Sequence, residues 1–122
     1  MRIGFMGSIY GKKFDKVSRL LRRDFPLGVP VVIKTVVKLR CTDTGDLLFG
    51  SCLASTTSRG KVKKFVIEIS RGLSLDTAID TLMHEWAHAT DQLENGTPER
   101  RPHRDSWGAH YARIWRSYTG EK

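Results

Sequence analysis

The residues best suited to chemistry lie together in the stretch His84-Glu85-Trp86-Ala87-His88. Side chains four apart on a helix share a face about one turn apart, so both imidazoles can reach one ion. Glu85 follows the first histidine directly and points to where a water beside that ion would lie. Zinc lowers the pKa of a coordinated water toward about 7, and a nearby carboxylate can take the proton. The pair then supplies a nucleophile for a carbonyl carbon at neutral pH. With four His and five Glu in 122 residues, chance gives this pattern in roughly 0.5% of shuffled chains. Composition alone therefore does not account for it.

Catalytic zinc usually takes three protein ligands, so the two histidines need a partner from Glu94, Glu99, His103 or His110. Glu94 stands where the metzincin pattern has its third histidine, but that pattern needs a helix-breaking glycine where this chain has Asp91. Glu99 falls in a Pro- and Arg-rich loop. His103 opens the last helix after Pro102, where a side chain can be aimed firmly, and His110 follows two turns later. This reading favours His103 and leaves Glu99 and His110 as alternatives. Asp80 and Asp91 are placed to accept the second N–H of a ligand imidazole. His110 and Tyr111 are candidates to donate to an oxyanion, whereas Trp107 and Ile114 read as packing residues.

His84-Glu85-x-x-His88, followed by His103-Arg104-Asp105-Ser106-Trp107-Gly108-Ala109-His110-Tyr111, resembles the SprT-like (Spartan-type) metallopeptidase domain. The resemblance implies a zincin-like fold with His84, His88 and His103 as zinc ligands and Glu85 as general base. It also implies action on proteins associated with, or crosslinked to, DNA. Two departures stand out. Arg104 replaces a glycine common in the family, and the C-terminal cysteine-rich zinc ribbon of many members is not found here.

The elements that must position these residues follow from periodicity. Phe14, Val17, Leu20, Leu21 and Phe25 recur at helical spacing between Lys12 and Phe25, with Lys12, Lys16, Arg19 and Arg23 on another side. Val29–Arg40, Leu47–Ala54 and Val62–Ser70 read as strands, the first two separated by the turn signal Asp43-Thr44-Gly45-Asp46. Short connections favour an antiparallel meander. From Leu73 the period becomes helical, with an apolar stripe of Leu75, Ile79, Leu82, Met83, Trp86 and Leu93. Ser74 or Asp76 serves as N-cap and Asn95-Gly96 as the end. A last helix runs from His103 or Asp105 to Tyr118. The predicted architecture is a single α+β domain over residues 1–122: an N-terminal helix, a three-stranded and mainly antiparallel sheet, the motif helix and a C-terminal helix. The third strand, just before the motif helix, is the expected edge for binding an extended peptide.

Composition narrows the function classes. No run of 18 apolar residues exists, which argues against a membrane span, and the first residues lack a secretion-signal layout. Cys41 and Cys52 are too few for a disulfide framework and read as free thiols, which favours the cytoplasm, a host's if the chain is phage-encoded. The net charge of +8 and pI near 9.9 favour polyanions, nucleic acid above all, and the resemblance implies that this is DNA, single-stranded or with bound protein. Basic residues group on the first helix, at Arg59, Lys61, Lys63 and Lys64, and at Arg100, Arg101 and Arg104. The expected activity is that of a monomeric zinc metallopeptidase on protein or peptide substrates. The alternatives are a basic nucleic-acid-binding domain with a non-catalytic zinc site, and a hydrolase of non-peptide amides.

Overall fold

Alternating apolar residues make Val62–Ser70 the strand around which the rest is arranged. The computed structural model describes residues 9–37, 48–96 and 103–120. Within them the chain forms α1 (Lys12–Asp24), β1 (Val31–Val36), β2 (Gly50–Thr56), β3 (Val62–Ser70), α2 (Leu75–Asn95) and α3 (Asp105–Thr119). The class is α+β, with three helices and a three-stranded mixed sheet. Phe65, Ile67 and Ile69 of β3 are fully buried. Ile67 and Ile69 join Phe14, Val17 and Leu21 of α1, Ile79, Leu82, Met83 and Trp86 of α2, and Ile114 of α3 in one core. Val32 and Leu53, both paired with Val66 on the opposite face of the sheet, are exposed. The helices therefore cover one face only.

The strand order is β1-β3-β2, and β1 runs parallel to β3, from Val31 beside Phe65 to Val36 beside Ser70. Only β2 and β3 are antiparallel. This corrects the expected meander: β1 and β2 are consecutive in sequence but flank β3 rather than each other. The physical reason is burial. β3 is the longest strand and hides Phe65, Ile67 and Ile69 completely, so it gains most from neighbours on both sides. The expectation that β3 forms a sheet edge fails for the same reason; the edge next to the motif helix is β2. Residues 38–47, which hold the predicted turn, the end of the predicted first strand and Cys41, lie outside the described residues.

Ser74 caps α2 by accepting a hydrogen bond from the Thr77 amide at 3.1 Å. The other end stops at Gly96, whose positive φ of 81° suits glycine and whose N–H bonds back to the Gln92 carbonyl. Trp86 fills the centre and donates from its indole to the Phe25 carbonyl at 2.9 Å, tying the end of α1 to α2. Leu93, expected on the core stripe, is 40% exposed. In these last turns the covered position is Asp91, which the start of α3 overlies. No helix among the described residues is long and apolar enough to cross a membrane.

Candidate metal centre

His84 and His88 lie one turn apart on α2, and His103 reaches them from the residues just before α3. The Nε2 atom of His84 is 3.2 Å from that of His88 and 3.1 Å from that of His103. All three donor atoms fall within 4.8 Å of one another. A tetrahedral zinc site with bonds of about 2.0–2.1 Å puts neighbouring nitrogens about 3.3 Å apart, close to the observed spacing. One proton can serve at most one pair of facing ring nitrogens. Three such nitrogens gathered in one place therefore suit a metal ion better than they suit one another, and the three histidines could hold one.

Trp107, in the first turn of α3, is the surface on which the rings rest. Its indole stacks on His88 at 5.2 Å between centroids and lies 4.5 Å from the His103 ring. It also donates to the His84 carbonyl at 3.3 Å. Its position four residues after His103 marks it as sharing a helical face, and packing was legible there. Contact with all three histidines was not, because it depends on how α3 crosses α2.

Electrostatics agree with a neutral donor set. Burial, then the neighbouring rings of His84 and His103, push the His88 imidazole down to about 4. Burial and His103 lower His84 as well, partly opposed by Asp80. Unprotonated imidazole is the form that binds a metal. Glu85 is buried, and burial raises its carboxyl to about 7. A carboxylate in such a place exchanges protons near neutrality, and a cation beside it would favour its charged form.

Glu85 and His84 line a cleft of about 370 Å³ together with Asp80, Thr81, Leu48, Phe49 and Gly50. Its walls are α2 and the chain entering β2. The two approach closely at Gly50, where an added Cβ would sit 2.5 Å from Cγ2 of Thr81 and 3.4 Å from Cγ of Glu85. Glycine is needed here for space.

The other candidates have different partners. His110 bonds through Nε2 to Glu94 at 2.9 Å, and its Nδ1 meets Arg113 at 2.8 Å. These contacts draw His110 and Glu94 to each other rather than to the three histidines. Glu99 lies outside the described residues, as do Arg100 and Arg101. Asp91 receives Asn95, Arg104 and Ser106, and the Tyr111 hydroxyl donates to Asp80. Arg104, expected to contribute to a basic patch, is instead ion-paired with Asp91 at 2.7 Å. Cys52 is a free thiol on the inner side of β2, raised to about 12 by burial and by Glu85. Compared with known proteins, the chain matches no family model and no curated sequence.

Proposed function

We propose that this protein is a zinc-dependent metallopeptidase of the SprT-like kind. The observation that carries the reading is the gathering of three histidine donor atoms within 4.8 Å of one another, with the His84 Nε2 at 3.1–3.2 Å from those of the other two, while His84 and the buried Glu85 line one cleft. His84, His88 and His103 would hold the ion. When bound, zinc supplies Lewis acidity, which polarises a carbonyl and makes water a stronger acid. Glu85 takes the proton from the attacking water and passes it to the amine as the C–N bond breaks, leaving a carboxylic acid and an amine. A base with this task works best when its pKa lies near the operating pH.

The substrate would lie extended along the outer edge of β2, where no strand pairs among the described residues. From there a scissile bond can enter the cleft between Gly50 and Glu85. Exposed Lys12, Lys13, Lys16 and Arg19 on α1 favour substrates that travel with a polyanion, and DNA-bound proteins are the class we favour.

The test is zinc content by mass spectrometry together with casein hydrolysis, for wild type and Glu85→Gln. About one zinc per chain in both, with hydrolysis lowered by about 10²–10⁴-fold in the variant, supports the reading. Zinc without hydrolysis in the wild type would leave a non-catalytic zinc domain, and absence of zinc would remove the metal centre altogether. Stimulation of casein cleavage by single-stranded DNA, lost as salt rises, tests the choice of substrate class.

A further inference from the structure

His103 differs from the other two histidines in what holds it. His84 and His88 ride on a 21-residue helix packed into the core, whereas His103 is exposed and precedes α3. Two side chains that follow it in sequence, those of Arg104 and Ser106, reach the Asp91 carboxylate. Arg104 donates from Nε to Oδ2 of Asp91 at 2.7 Å and from Nη2 to the Gly96 carbonyl at 2.7 Å. Ser106 donates to Oδ1 of Asp91 at 2.5 Å, and Asn95 donates to the same oxygen at 2.9 Å. The Asp91 side chain is almost wholly buried and its Arg104 partner three-quarters so. Arg104 sits at the N-cap position of α3 without capping it. Its side chain instead runs back to the end of α2. The Asp91 carboxylate lies beside the first turn of α3, where negative charge is favoured.

We infer that Asp91 and Arg104 form a clamp that positions His103 as the third metal ligand by holding the start of α3 against the end of α2. The inference rests on the metal-centre reading above. A planar guanidinium suits the task because it bonds two acceptors at once in a fixed geometry. An ion would then meet three donors already in place, with the clamp bearing the cost of holding His103 there. Asp91 and Arg104 are positioning residues, acting through His103.

The experiment is a double-mutant cycle read by zinc affinity, using competition with a chromophoric chelator. It compares wild type, Arg104→Ala, His103→Ala and the double variant, with Arg104→Lys and Asp91→Asn alongside. Arg104→Ala is expected to weaken zinc about 10–100-fold, the range for residues that support a ligand from behind. In the His103→Ala background the same change should cost less than about twofold, since the group it positions is gone. Arg104→Lys should recover only part of the loss. With cobalt in place of zinc, Arg104→Ala should dim the visible bands of a tetrahedral site. Equal losses in both backgrounds would show general destabilisation and overturn the clamp, as would no loss in either. Failure of the wild type to bind zinc would overturn the metal centre and the clamp with it, an outcome separable from the others. Asp91→Asn, should it fold poorly, is replaced by Ser106→Ala, for which a smaller loss confined to the His103 background is expected.

Discussion

A carboxylate as enclosed as that of Asp91 is stable only when every lone pair it turns inward is met by a donor. Burial alone would raise it, but the bonds from Ser106, Arg104 and Asn95, with the charge of Arg104, outweigh that and hold it below the usual carboxylate range. The sign of the linkage follows. The unfolded chain releases this proton near pH 4, the folded chain at lower pH, so the stabilisation is complete above about pH 4 and is lost as pH falls through the folded value. Urea unfolding of the zinc-free protein should show Asp91→Asn less stable by roughly 1–3 kcal/mol at pH 7. The gap should narrow toward pH 3. A gap that stays constant with pH would mean that the charge of Asp91 contributes nothing. At this scale the sequence was most informative where geometry is intrinsic to one helix. His84, Glu85 and His88 needed only a spacing of four to be placed together. The meeting with His103 crosses a connection of unread shape, and the pairing of Arg104 with Asp91 spans 13 residues. No local pattern announces either.

Helices and strands impose their own constraints on the site. At Gly50 the first residue of β2 lies against Thr81, which is held in place by its own bond to the Thr77 carbonyl at 2.7 Å. A methyl group there cannot be accommodated by turning Thr81 aside without breaking that bond. Gly50→Ala should destabilise the protein by about 1–3 kcal/mol, as overpacking generally does. The melting temperature should fall by about 3–10 °C. Gly50→Ala with Thr81→Ser, which removes the clashing Cγ2, should regain part of that loss, the Glu68 carbonyl oxygen still lying 3.1 Å from the added carbon, and calorimetry on both variants checks it. The limits of β3, α1 and α2 were readable to within a residue or two, because each carries an unbroken period and α2 has a serine cap. Sheet order was not readable. Alternation says which face of a strand is apolar and nothing about which strand lies beside it, so β1 beside β3 emerges only when the core is assembled.

The three histidines that could hold a metal ion come from α2 and from the residue stretch just before α3, and an ion bridging them would link local chemistry to global stability. A ligand bound only by the folded state at 100 times its Kd adds about 2.7 kcal/mol. With zinc held as proposed, its removal by a chelator should therefore lower the melting temperature by about 8–14 °C. His103→Ala should show much less of this response, measured at matched protein concentration. The sheet also dictates an order of events in time. β2 and β3 are joined by a short turn closed by bonds between Thr57, Gly60 and Lys61, so they can meet as soon as the chain collapses. β1 can be received only after β3 exists, since its partners begin 34 positions further along the chain. Joining two distant segments costs more entropy than closing a hairpin, and β1 is accordingly a late arrival. Stopped-flow unfolding of the zinc-free protein should then show Ile33→Val raising the unfolding rate while leaving refolding nearly untouched, the signature of contacts made after the barrier. A matching change in β3, Ile67→Val, should slow refolding, so the strand at the middle of the sheet would also be the first to commit.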